Sequence, residues 1–391
     1  MKRYVRVIGT NLGSQILLAV FLACLPLVVG PSGADAFTLM LQVGTVSLTG
    51  VAMGVVYNLA IGRPSFNRWT TCAVIAGGVS VMAGGVAAIA LPSSDSPSSF
   101  VLFGFGGALY AAAGVYAARG ACNGSPALIP LVSVFSAAAL STGLLVALPL
   151  PAQKFLVIWF FWTLGGVGAL TTAVRRSQTV SGISTRVSQP EARKLVTEHA
   201  IFLGVASVTS AVMPILAASA LLSLPAGTLA LAYFVGRFVG AGINLFVNSI
   251  LSVKYSWHEK PTEAPRLILI LLTVGLLGSV AALILQYARS DAGTWVYLIP
   301  WASMITASSL LVRQAHARLS VRALSIKTTA DLCVATTAVL ALHANPSVIG
   351  YFATFTLSAA VTAVALAGRQ RTLQGGAALI AVTSFLFLVA P

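Results

Sequence analysis

Charge is what this sequence has least of, and negative charge above all. Charged residues make up 8% of the chain, 8 Asp and Glu against 23 Lys and Arg, where soluble domains carry about 25%. That scarcity excludes an ordinary soluble domain. Cysteine is also scarce: Cys24, Cys72, Cys122 and Cys333 are scattered, which gives neither a disulfide framework nor a metal-ligand spacing. Small buried fillers are the plain reading of such cysteines. No cofactor motif is present. The glycine clusters "AGGVSVMAGG", "GFGG" and "LGGVG" do not sit between a strand and a helix, so they are not phosphate loops. Glycines of this kind belong at close contacts between membrane helices. A cleavable signal peptide is not expected either, because the first apolar run is long and "VVGPSGADAF" continues directly into the next.

What the chain has is apolar length. Of its 391 residues 58% are hydrophobic, and the mean hydropathy is +0.94. The runs are long and continuous, as in membrane helices of about 20 residues, rather than the short alternating segments of a membrane barrel. Breaks of Pro, Gly, Ser and charge predict spans at 5–29, 36–60, 70–91, 98–118, 126–149, 153–174, 196–222, 226–251, 266–287, 294–313, 323–343, 347–368 and 375–390. The last is short, so the expectation is an all-α polytopic membrane protein with 12–13 transmembrane helices.

The net charge of +15 would suggest nucleic acid in a soluble protein. In a membrane protein its placement matters more than its sum. With the N-terminus in the cytoplasm, every Lys and Arg except Lys154, Arg289 and Arg237 falls at an inner loop or inner helix end. This topology predicts a cytoplasmic N-terminus, a multi-pass protein, and no nucleic-acid partner.

The longest inner loop, "RRSQTVSGISTRVSQPEARK", lies near mid-chain. It divides the chain into an N-terminal transmembrane lobe (1–176), a cytoplasmic linker (177–194) and a C-terminal lobe (195–391). A shift of 192 residues lays "GADAFTLMLQVGTVSLTG" over "PAGTLALAYFVGRFVGAG", with coincident Val-Gly pairs, Leu39 on Leu231 and Gly50 on Gly242. Two six-helix lobes would then be parallel repeats around a central cavity.

Arg237 stands near the middle of the eighth span. A charge there costs at least about 2.5–3.5 kcal/mol on insertion scales, so it should face protein or a water-filled cavity. Asn244 and Asn248 follow on the same helical stripe. A guanidinium offers a planar fork for phosphate, and amides suit sugar hydroxyls. An arginine in a structural ion pair is the plainer alternative. Asp331, near the middle of the eleventh span, suits either a pair with Arg237 or uptake of a coupling ion. In the first lobe Asn11 and Gln15 on span 1, with Gln42 and Thr45 on span 2, either line a polar cavity or bond neighbouring helices.

Two six-helix lobes, a basic linker and the eighth span "ALAYFVGRFVGAGINLFVNSIL" resemble the multidrug/oligosaccharidyl-lipid/polysaccharide transporter superfamily, and within it bacterial polysaccharide flippases. The resemblance rests on Tyr233, Gly236 and Arg237. It implies a bacterial inner-membrane protein, not an enzyme, without a cofactor or metal. Its substrate would be an undecaprenyl-pyrophosphate-linked oligosaccharide, flipped outward by alternating access for surface polysaccharide biosynthesis. Its implied partners are membrane lipids, a proton or sodium gradient and polysaccharide polymerase machinery. The resemblance places the pyrophosphate on Arg237. An ion-coupled drug exporter of the same fold would need acids in the first-lobe cavity, and spans 1–6 are expected to hold none. A membrane polymerase or glycosyltransferase needs a sizeable outer loop, whereas the loops holding Asp35, Asp95 and Asp291 are only a few residues long.

Overall fold

The computed structural model describes residues 2–57, 60, 67–91, 97–123, 125, 127–150, 153–179, 205, 208–209, 211–244, 264–288, 292–317, 321–367 and 370–389. No strand occurs among them. In chain order the helices are α1 (Lys2–Val29), α2 (Pro31–Ser47), α3 (Trp69–Ala90), α4 (Pro97–Cys122), α5 (Leu128–Ala147) and α6 (Lys154–Thr179). Then follow α7 (Ala211–Leu221), α8 (Thr228–Asn244), α9 (Ala264–Tyr287), α10 (Ala292–Val296), α11 (Leu298–Ala317), α12 (Val321–Ala344), α13 (Val348–Leu366) and α14 (Arg371–Val389). Ten helical stretches are long and apolar enough to cross a membrane, and three shorter apolar helices fill the remaining expected positions. The chain is a multi-pass membrane protein. Its final segment, expected to be short, is a full candidate span at Arg371–Val389.

One boundary differs from the sequence reading in a way that matters for the site. The second span starts at Pro31, not at residue 36. Gly30 takes φ 80° and Pro31 occupies the first helical turn. Glycine tolerates that backbone and proline suits a helix start. The turn between α1 and α2 is therefore a single corner, and Asp35 lies inside the helix rather than in a loop, so the second span holds an acid where the sequence reading expects none in spans 1–6. At its other end α2 continues as a π-helix over Leu48–Val56.

The contacts group the chain into two compact units, Met1–Ile215 with Pro225–Ala241, and Leu216–Leu224 with Gly242–Pro391. Helix α8, with Arg237, clusters with the first. In that unit an aromatic chain runs through α1, α2, α4 and α6. Phe37 meets Phe21, Phe103 and Phe155 at centroid distances of 5.6, 5.0 and 5.9 Å. Trp162 stacks on Phe103 and Tyr110 at 5.3 and 5.0 Å. Its indole N–H donates to Ser136 Oγ at 2.9 Å, and the Tyr110 hydroxyl donates to the Trp162 carbonyl at 2.8 Å. The polar atoms of this aromatic core are thus paired, as burial in an apolar interior requires.

Each glycine cluster places some of its glycines at helix contacts, as the sequence indicates, while Gly78 and Gly85 of the first face open space. A Cβ on Gly84 would sit 2.6 Å from the Phe100 carbonyl oxygen, and one on Gly107 would overlap the Gly44 carbonyl. Hence α3 and α2 both approach α4 at backbone contact. The cysteines depart from their expected burial: Cys24, Cys72 and Cys122 are half-buried, Cys333 is exposed, and all are free.

The second unit is built on α9, α11, α13 and α14, whose Leu272, Met304, Ala360, Ala377 and Ile380 form one buried cluster. Tyr297 closes one end by donating to Ser384 Oγ at 2.7 Å.

Candidate functional site

Helix α2 carries residues of opposite character on two sides. Helical geometry of 3.6 residues per turn puts positions spaced 3, 4, 3 and 4 on one stripe. On α2 and its π-helical continuation those positions hold Asp35, Thr38, Gln42, Thr45 and Thr49. The stripe lies roughly opposite Gly44 and Ser47, which pack against α4 and α3.

Along the stripe the polar groups differ in what they have for partners. Thr45 Oγ1 donates back to the carbonyls of Leu41 and Gln42, at 2.9 and 3.2 Å. Thr49 does the same toward Thr45 and Val46 at 3.2 Å. Gln42 is different. It is 6% exposed, and both its amide nitrogen and its amide oxygen lack a hydrogen-bond partner. Thr38 is fully buried, and its hydroxyl is also unpartnered. A buried polar group without a partner costs about 1–3 kcal/mol, so two neighbours one turn apart form an unusual concentration of unmet demand.

On α1, Asn11 and Gln15 are half-buried. The Asn11 carbonyl accepts from Ser14 at 2.7 Å, and this helix packs chiefly along α5, which it also meets through Ser141 donating to the Leu17 carbonyl at 3.3 Å. The α1 and α2 groups are thus not joined into one hydrogen-bonded cluster among the described residues.

Arg237 is exposed on α8, with its guanidinium carbon 4.9 Å from the ring centroid of Tyr233. The pair is one turn apart, the spacing at which helix side chains meet. Tyr233 is itself 7% exposed, so a buried ring forms a fixed platform for an accessible cation. On the same helix Phe234 and Phe238 stack on each other at a centroid distance of 6.4 Å. Asn244 is the last described residue of α8, without a described side chain, and Asn248 lies outside the described residues.

Asp331 sits on α12 in the second unit and is 6% exposed. Its Oδ1 accepts from Thr362 Oγ1 at 2.7 Å and from Ser358 Oγ at 3.5 Å, both on α13. Two hydroxyls of α13 thus face this buried carboxyl group. No group of three or more His, Cys, Asp and Glu able to hold a metal occurs among the described residues.

The sequence reading missed Thr38 and the role of Asp35. The signal for both was the 3–4 spacing read backwards from Gln42; Thr38 lay within the expected span, and only Asp35 was cut off by starting the helix at residue 36. No family model, curated protein or solved structure matches this chain, so the functional reading rests on the chemistry of these side chains.

Proposed function

We propose that this protein is a flippase for a lipid-linked oligosaccharide, moving an undecaprenyl-pyrophosphate-class carrier across the bacterial inner membrane by alternating access. The observation that carries the reading is Arg237. On a helix with an apolar sequence, its guanidinium is exposed and held on the buried ring of Tyr233. A charge retained at such a position is costly unless it serves a polar ligand or path, and a guanidinium matches a phosphate group in a bidentate fashion.

The stripe on α2 supports the sugar side of the reading. Gln42 offers two donors and an acceptor, and Thr38 a hydroxyl, none of them used within the protein. Neutral groups of this kind suit neutral sugar hydroxyls. In this scheme the phosphate meets Arg237, the sugars pass along α2, and the polyprenyl tail stays in lipid.

Complementation of a strain deleted for this gene tests the proposal, comparing wild type with Arg237→Ala and Arg237→Lys. Membrane level, surface polymer and internal lipid-linked repeat units are measured together. The expected result is normal membrane level, surface polymer lowered more than about tenfold for the Ala variant, and accumulation of repeat units. Lys restores it only in part, because an ammonium does not reproduce the bidentate fork. Normal surface polymer with a stably inserted Ala variant would remove Arg237 from the path.

A further inference from the structure

Asp35 makes a two-bond polar contact between parts of the first unit far apart in the chain. It is 5% exposed. Its Oδ2 accepts from the Gly227 backbone N–H at 2.6 Å and its Oδ1 from the Ala230 N–H at 2.7 Å. Both donors belong to the turn that starts α8. The first N–H groups of a helix have no partner within it, and a carboxylate there satisfies them and complements the helix dipole. Here the cap comes not from the preceding residue but from another helix. Charge-assisted bonds of this length are about twice as strong as neutral ones.

The corner around the contact is shaped for it. Gly227 has φ +92°, and a Cβ built on it would lie 3.2 Å from Cβ of Pro31. The first turn of α2 and the turn before α8 thus lie against each other. Lys154 at the start of α6 ties down the same end of α1, its Nζ donating to the Val28 carbonyl at 2.6 Å.

The separation of Asp35 and Gly227 is 192 residues, the same shift that aligns the two halves in the sequence. A position touches its own counterpart in a parallel repeat only near the repeat axis. Under the transporter reading, with the halves as parallel repeats, such a contact falls where the path would have to close.

We propose that Asp35 is the clasp of a gate at the end of the molecule where α1 and α2 join, holding the start of the Arg237 helix, and that the clasp opens in each transport cycle. The proposal rests on the transporter reading above. The end concerned is the outer one under the topology expected from the basic loops. Asp35 acts as a positioning residue, since it touches the helix that carries Arg237 and not the substrate.

A reversible lock tests the clasp. In a chain with its four native cysteines replaced by serine or alanine, Pro31→Cys and Gly227→Cys put two Cβ atoms 3.2 Å apart, just under the range of about 3.5–4.5 Å for a disulfide. Gly227→Cys alone is first checked for normal membrane level, because a φ of +92° strains any side chain. Cross-linking rate in membranes, induced by copper phenanthroline, is read first and needs no substrate. Adding Asp35→Asn replaces one acceptor by an N–H donor, and the rate is expected to fall about tenfold. Equal rates with and without Asp35→Asn would overturn the proposal. Flipping of a pyrophosphate-linked polyprenyl oligosaccharide in proteoliposomes is read second. The cross-linked protein is expected to stop and to recover with reductant. Transport that continues at the reduced rate while the lock is closed would make the contact a fixed joint. If the reduced protein moves no such lipid at all, the functional reading fails, and the cross-linking comparison still decides the clasp.

Discussion

The two sides of α2 show what each kind of packing is for. On one side Gly44 meets α4 at backbone distance, Ser47 bonds to the Ala76 carbonyl of α3, and Phe37 enters the aromatic chain. Every described polar atom there has a partner. On the other side Thr38 and Gln42 are just as buried but have none. A helix packed for stability alone would not keep an amide in that condition, because apolar residues of similar shape would be cheaper. The difference sets a surface that builds the unit against one whose buried polar groups the fold leaves unused.

The contrast is broken most severely from the packed side. Gly107→Val places a side chain where the Gly44 carbonyl already sits. Backbone cannot yield as a flexible side-chain end can, so the expected result is loss of the folded, monodisperse protein, by more than the roughly 1–3 kcal/mol of ordinary overpacking. Gly78→Ala, with nothing within 4 Å of its Cβ, should fold normally and be about as stable or slightly more so. Detergent size-exclusion profiles and thermal midpoints compare them directly. Equal behaviour of the two variants would mean that α2 and α4 are not in the contact described.

A sharper version sets a polar group with partners against one without. Thr362→Val removes the 2.7 Å bond to the buried Asp331 carboxylate and is expected to destabilise by about 1.5–3 kcal/mol, as for a hydrogen bond to a charged group. Gln42→Leu removes an unpartnered amide and is expected to shift stability the other way, by up to about 1–3 kcal/mol, while lowering transport. Thermal unfolding in detergent together with a flipping assay reads both. A Gln42→Leu protein that is less stable and transports normally would make the amide a structural group.

Much of this architecture is legible in the sequence, because membrane spans are set by long-range composition. Ten of the thirteen expected spans find a candidate membrane helix in order, shorter apolar helices fall at the other three, and glycines such as Gly84 and Gly107 lie at helix contacts as their small size indicates. The site is less legible, for two physical reasons. Asp35 reads as a loop acid until Gly30 and Pro31 are seen to turn the chain in a single corner. Its cap on α8 spans 192 residues, and no local periodicity encodes such a contact. Arg237 was visible because a lone cation in an apolar run is conspicuous, but the platform beneath it depends on the burial of Tyr233, which spacing alone does not give.

The smallest effect is expected at Thr45, and it tests whether the polar stripe acts as a whole. Thr45 already donates its only hydroxyl hydrogen to its own helix, to the carbonyls of Leu41 and Gln42. Such back-bonding contributes little to helix stability. Thr45→Val keeps the branched shape and leaves both carbonyls in their helical positions, so stability should change by no more than about 0.5 kcal/mol. What the substitution removes is a half-buried acceptor, available to a passing hydroxyl without rearrangement. If the stripe conducts sugars as a series of weak contacts, transport should fall by about twofold to fivefold, less than for Gln42→Leu, which removes donors and acceptor together. If Thr45→Val is silent while Gln42→Leu is not, the path touches α2 only at its buried turn. The unpartnered atoms of Thr38 and Gln42 are then a single binding position rather than one step of a track.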